Sequence, residues 1–226
     1  MKKKWGNLKN NKLSYYMIII SFMFLIFIGS IFIGNSILFI FKLSINRLSI
    51  IIFPIIGLGL SKFILDKDGE KIKWRYMIAI LISFYIIIII LGIINNFVWD
   101  SSYDSLSYHQ EGVIRLKNGW NPFFDQCGDI DKWVRHYTKA PWIFAASIYI
   151  ITGKIETAKV LNMLLPIIIF LLGFAFFYLV TNKKRIISLI GALLLAINPV
   201  NVSQMFTYYV DASLGIYIIF TFMFIF

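Results

Sequence analysis

Three aspartates and a histidine stand where a membrane-bound chain could do proton chemistry. Asp100, Asp104 and His109 fall in WDSSYDSLSYHQEG, and Asp211 stands far downstream in TYYVDASLG. A carboxylate serves as a general base only when held within hydrogen-bond reach of the group it deprotonates. Ser101-Ser102-Tyr103-Asp104 fits the S/T-x-x-D pattern that opens a helix. A helix from about Ser102 to Lys117 places Asp104, Tyr108, Glu111 and Arg115 on one face, with His109 one position round. Leu106, Val113, Ile114 and Leu116 then turn towards bilayer or protein. Asp104 reads as a general base or metal ligand at the head of that stripe, or as a cap that gains from the helix dipole. Spacing does not separate the two, and one carboxylate can do both. Asp100 ends an apolar run, where a polar boundary residue is ordinary. Asp211 lies between a tyrosine pair and an apolar run. An ionisable residue at a membrane boundary is a functional hypothesis by default, with a helix cap as its alternative.

The neighbouring polar residues admit similar pairs of readings. His109 and His136 suit proton transfer or metal binding, or plain hydrogen bonding. Asp125, Asp129 and Asp131 cluster around Cys127 but lack the glycine and terminal glutamate of an EF-hand loop, so a solvated turn is preferred and no metal site is assigned. Arg115, Arg135, Lys139 and Lys154 could meet the phosphate of a lipid or lipid carrier, because guanidinium forks match phosphate. They could equally anchor the chain at the interface with Trp99, Trp120, Trp133 and Trp142.

The elements that must position these residues are membrane-spanning. The chain has 226 residues, 59% of them hydrophobic and 15% charged, with a mean hydropathy of +0.79. Soluble domains run at about 45–50% apolar and about 25% charged. Several apolar runs reach the roughly 20 residues that cross a bilayer as a helix. They lack the period-2 alternation of a barrel strand. The net charge of +11 would point to nucleic acid in a soluble protein. Here the basic residues cluster between apolar runs, where they set orientation, so no nucleic-acid partner is assigned. Cys127 is the sole cysteine, and no intrachain disulfide can form.

Taken in order, MKKKWGNLKNNK is basic and cytoplasmic, and Ser14 to Phe41 is a retained first span rather than a signal peptide. Leu48 to Leu65 is the second span, DKDGEKIKWR a cytoplasmic loop, and Tyr76 to Val98 the third span. The wet segment from Trp99 to Lys139 then falls outside, holding six of the eleven acidic residues and both histidines. Pro141 to Ile151 is too short to cross and reads as an interfacial or re-entrant helix. Lys159 to Val180 is the fourth span, Lys183-Lys184-Arg185 returns to the cytoplasm, and Ile186 to Val200 is a short fifth span. Asn201 to Asp211 is a second outer loop, carrying a sequon at Asn201 that abuts the membrane and is given little weight. A sixth helix begins near Ala212. The N-terminus, residues 66–75 and residues 183–185 obey the positive-inside rule, whereas Lys42 and Arg47 do not. The expected fold is all-α and polytopic, with about six spans and a helical extracytoplasmic loop between spans 3 and 4. The sequence stops inside the apolar run LGIYIIFTFMFIF, and continuation beyond Phe226 is expected.

The span ending in W-D, the following Y-D-S-L-S-Y-H and the G-W-N-P-F turn together resemble the first outer loop of GT-C-type membrane glycosyltransferases. The nearest branch holds the protein O-mannosyltransferases and lipid A aminoarabinose transferases. N-P-V-N-V-S-Q-M-F-T-Y-Y-V-D resembles that superfamily's second outer loop. The resemblance covers residues 76–226, with outer loops at 99–158 and 201–211, and leaves residues 1–75 as a two-span extension. It implies a transferase that uses a polyprenyl-phosphate-linked sugar donor. The first-loop catalytic aspartate carries over to Asp104, or alternatively Asp100, and the second-loop acid to Asp211. Tyr108, His109 and Glu111 would shape the site, and Arg115 or Arg135 would meet the donor phosphate. Many members have adjacent acids in the first loop; here they are split as Asp100 and Asp104. Members are also longer, so this chain would be an N-terminal portion. Relatives differ in using a divalent cation, and no cofactor is assigned. Ile/Lys/Asn-rich usage points to an AT-rich genome and a bacterial cell membrane. The rival reading is a transporter or flippase of lipid-linked saccharides, or a non-catalytic assembly subunit. A transporter would carry ionisable residues mid-span, and these spans are nearly free of acids.

Overall fold

A computed structural model describes residues 11–126 and 132–225. Its described residues form helices and connecting turns without a β-strand. Four helical stretches are long and apolar enough to cross a membrane. They are α1 (Lys12–Ile40), α2 (Ser49–Lys67), α3 (Trp74–Asn96), and a 3-10 turn (Ile155–Lys159) that runs directly into α7 (Val160–Val180). Between α3 and α7 lie α4 (Gln110–Lys117), α5 (Lys132–His136) and α6 (Ala140–Thr152). After α7 come α8 (Arg185–Ala196), α9 (Pro199–Gln204) and α10 (Asp211–Ile225). The protein is therefore an all-α polytopic membrane protein. The expected fifth span is split, because α8 stops at Ala196 and Pro199 starts α9. Proline lacks the N–H that would continue a helix but suits its first turn. At 12 residues, α8 is shorter than a perpendicular crossing requires. Cys127, Asp129 and Asp131 lie outside the described residues.

The spanning helices are apolar on all sides, which is the pattern of a helix surrounded by lipid and protein. What selects their packed faces is side-chain size. A β-carbon at Gly34 of α1 would sit 2.3 Å from the Phe53 ring of α2, and one at Gly191 of α8 would sit 2.6 Å from Phe177 of α7. Small residues let membrane helices approach closely, since lipid supplies no hydrophobic drive between them. α1 also packs on α7, where the Ser21 hydroxyl donates to the Ile168 carbonyl at 3.4 Å. Phe24, Phe27 and Phe84 join α1 to α3 through edge contacts of 5.2 and 5.3 Å.

Polar contacts define the two ends of the bundle. At one end the Tyr15 hydroxyl donates to Glu70 in the α2–α3 turn at 2.6 Å, and Met17 packs against Phe174 and Tyr178 beside the basic turn Lys183–Arg185. At the other end Asn121 Nδ2 donates to the Phe39 carbonyl of α1 at 2.8 Å. This second end carries the wet segment. α6, expected at an interface or as a re-entrant helix, is buried from Trp142 to Ile148 and packs against α4, the 3-10 turn, α1 and α7. Its Ser147 receives a hydrogen bond from Asn35 of α1 at 3.4 Å.

Gly29 and Gly34 lie on the same helix, yet a β-carbon at Gly29 meets nothing within 4 Å. Gly34→Ala should lower the unfolding midpoint in detergent micelles, by about 1–3 kcal/mol of overpacking, while Gly29→Ala should not lower it. Equal behaviour of the two variants would contradict the close α1–α2 approach.

Candidate functional site

The segment after α3 enters its helix through a π turn, Ser105–His109, before continuing as α4. The Gln110 N–H closes this turn by donating to the Ser105 carbonyl. A π turn takes one residue more than an α turn and is often found at functional sites. Its effect here is to rotate the register, so that Asp104 faces both Tyr108 and His109. The single stripe expected of a continuous α-helix therefore breaks after Tyr108. Glu111 and Arg115 pair with each other at 2.5 Å one turn further on, both half-exposed. The capping expectation also needs correction. Asp104 makes no side-chain cap hydrogen bond, and just upstream the Ser102 hydroxyl and N–H both donate to Asp100 Oδ1, at 2.6 and 3.0 Å.

Asp100 is only 2% exposed and has both carboxylate oxygens engaged. Its Oδ2 accepts from the backbone N–H of Tyr208 in the second loop at 2.9 Å. The same N–H approaches Ser105 Oγ at 3.1 Å. Asp100 thus bridges the segment after α3 and the loop between α9 and α10. Beneath it sits a buried ion pair that the sequence reading missed. Lys159 pairs with Glu156 Oε2 and donates to the Val98 carbonyl at 2.6 Å, and Glu156 Oε2 accepts from the Asp100 N–H at 3.3 Å. A buried charge demands such partners. The visible signal was an acid and a base three residues apart at the mouth of an apolar run. The Tyr208 hydroxyl donates to the Ile155 carbonyl. Burial, then the charges of Glu156 and Asp100, hold its phenol well above its ordinary pKa.

Above this bridge lies an aromatic cluster. Tyr108 is stacked on Trp133 at 5.8 Å, and Tyr137 is stacked on Trp142 at 5.8 Å. His109 fits between them, with edge contacts to Tyr137 at 5.0 Å and to Tyr209 at 6.0 Å. The Trp142 indole N–H donates to His109 Nδ1 at 3.0 Å, which assigns the imidazole proton to Nε2. Trp142 seats against α4 because residue 112 is glycine; a β-carbon there would lie 2.5 Å from its ring. Burial pushes the His109 pKa down to about 4, against the opposing pull of Asp104, Asp211 and Asp100. The imidazole is therefore neutral at pH 7 although three carboxylates surround it. Burial, with Tyr137 and Asp104 adding to it, also raises the Tyr108 phenol above its ordinary range.

Asp211 opens α10 and is exposed. Gln204 Nε2 donates to its Oδ2 at 2.9 Å, and Gln204 Oε1 accepts from the Ala212 N–H at 2.9 Å. Asn162 of α7 fixes the loop between. Its Nδ2 lies 3.3, 2.9 and 2.7 Å from the carbonyls of Gln204, Thr207 and Tyr209, and its Oδ1 accepts from Ser213 at 2.9 Å. A lone asparagine in an apolar run was the sequence signal for it. Trp142, Lys159, Asn162, Thr207 and Tyr209 line a small pocket beside the bridge.

Of the residues singled out from the sequence, Asp104, Tyr108, His109 and Asp211 converge, and Asp100 forms their floor. Glu111 and Arg115 sit further along α4. Arg135 is exposed on α5, and among the described residues no contact joins it to these acids. Among the described residues, no group of three or more His, Cys, Asp or Glu side chains is placed to hold a metal ion. Asp104 and Asp211 are the carboxylates of this group with solvent access.

His109 ties stability to pH. Its folded pKa of about 4 lies below the ordinary 6.5. Between these values the unfolded chain binds a proton that the folded chain refuses, so stability rises with pH through this window and is lost as pH falls. The unfolding midpoint should fall as pH drops from about 6.5 to about 4, and His109→Phe should flatten that slope. Parallel wild-type and variant profiles would contradict a buried neutral imidazole.

Comparison with protein-family models, with curated proteins and with solved structures returned no match to this chain.

Proposed function

We propose that this protein is a membrane glycosyltransferase that moves a sugar from a polyprenyl-phosphate-linked donor to an acceptor hydroxyl or amine at the extracytoplasmic face of a bacterial cell membrane. One observation carries the reading. Asp104 and Asp211, from two loops far apart in sequence, both bear on the same buried His109 at one end of an apolar bundle. In this reaction Asp104 takes the proton of the acceptor. The acceptor atom bonds to the anomeric carbon, and the carbon–oxygen bond to phosphate breaks, with its electron pair leaving on the polyprenyl phosphate. Asp211 orients the reacting groups from the second loop. The free guanidinium edge of Arg115 meets the phosphate, while its Nε stays on Glu111. Asp100 acts through position, since its oxygens hold the loops together.

The basic clusters support this orientation. Lys71, Lys73 and Arg75 share an end with Lys183, Lys184 and Arg185, which the positive-inside rule sets in the cytoplasm. The six-span topology belongs to the same reading, with the broken α8–α9 stretch as the fifth crossing and α10 as the sixth. Acid placement speaks against the transporter alternative. In the four long spans the only acidic residue before the terminal 3-10 turn of the last is Asp66, at the end of α2.

Asp104→Asn should lower transfer from a polyprenyl-phosphate sugar by about 10²–10⁴-fold, the usual worth of a positioned base. Asp211→Asn should also lower it. Measured on the full-length protein in membranes, unchanged transfer in both variants rejects the assignment.

A further inference from the structure

Asp211 is exposed at the start of a helix, where a side chain ordinarily samples several rotamers. One neighbour removes that freedom. Gln204 closes α9, and its carboxamide meets Asp211 with both ends: Nε2 donates to the Asp211 carboxylate and Oε1 accepts from the Ala212 N–H, each at 2.9 Å. The pairing has one sense only. Turned over, the amide would set its oxygen against a carboxylate and its NH₂ against an N–H. Gln204 is itself 9% exposed, and its backbone is held from α7 by Asn162. The carboxamide is thus fixed at its root and reads both the side chain and the backbone of the α10 start. With Oδ2 engaged, Oδ1 is the oxygen left to serve the site, and Tyr209, two residues before Asp211, sets its ring edge to face against His109 at 6.0 Å.

We infer that Gln204 is a positioning residue that orients the Asp211 carboxylate towards the His109 face. Its catalytic consequence rests on the proposed transferase reading, but the contact itself does not. A merely structural glutamine would hold α9 to α10 whatever stood at position 211. A positioning glutamine depends on the Asp211 carboxylate.

The two are separated by exchanging the partners. Gln204→Glu keeps an acceptor for the Ala212 N–H and nearly the same shape, but sets a second carboxylate against Asp211. Combining it with Asp211→Asn restores a donor–acceptor pair with the roles reversed. In detergent micelles at pH 7, Gln204→Glu should lower the unfolding midpoint, and the double variant should recover most of that loss. A midpoint unchanged by Gln204→Glu, or one lowered further in the double variant, overturns the assignment. Gln204→Leu supplies the kinetic arm. If Asp211 serves transfer, kcat should fall by about 10²-fold, the scale of a misplaced group, with KM little changed. A loss confined to KM overturns the positioning role. Transfer that is insensitive to Asp211→Asn removes the function of Asp211, while recovery in the exchanged pair still stands as evidence for the contact.

Discussion

The structure depends on satisfying one short run of non-helical backbone. Between α9 and α10 the chain leaves helical hydrogen bonding, yet it lies against buried side chains where water cannot serve every amide and carbonyl. Unpaired backbone groups in such surroundings are costly, which is why irregular backbone in membrane proteins is tolerated only against protein or a wet cavity. Here the partners are side chains from three directions. Asp100 takes the Tyr208 N–H, Asn162 reaches the Gln204, Thr207 and Tyr209 carbonyls, and the Gln204 amide caps the start of α10. Each of these side chains is buried and has its own second partner. The second loop is therefore held by contacts that also fix the first loop and α7.

That requirement divides the acids by role. Asp100 is buried with both carboxylate oxygens occupied, and Glu156 is held through Oε2 by Lys159 and the Asp100 N–H. Asp104 and Asp211 retain solvent access. The π turn makes this division possible within one short segment. It lets Ser105 point back towards Tyr208 while Asp104 faces the aromatic cluster. A regular α-helix would have kept Asp104 in line with Glu111 and Arg115, one register away from His109.

Most of the architecture was legible from apolar length and basic clusters. Observed starts and ends of the four long helices lie close to those read from the sequence, because lipid imposes a length that composition records directly. The fifth span was less legible. Asn198-Pro199 was read as its end, but the α-helix had already stopped at Ala196 and the proline began a new turn. Within the site, residue type identified Asp100, Asp104, His109 and Asp211, but not what each does. The S-x-x-D pattern suggested a cap at Asp104, but Asp104 makes no side-chain cap hydrogen bond, and just upstream Ser102 donates to Asp100 instead. No local pattern announces a π turn, so its register shift was invisible. Glu156, Lys159 and Asn162 gained their importance from partners dozens of residues away, and Gln204 from a turn that folds Asp211 and Ala212 back onto it.

The neutral histidine is the last consequence of the same packing. Three carboxylates near an imidazole would ordinarily favour its protonation. At His109 burial prevails, because Tyr137, Trp142 and Tyr209 exclude water and the Trp142 N–H occupies Nδ1 as only a neutral ring permits. Gly112 underlies this arrangement, since any side chain there would displace the Trp142 ring that holds the imidazole in its uncharged form. The seating of the imidazole thus rests on an apolar contact between a glycine and a tryptophan.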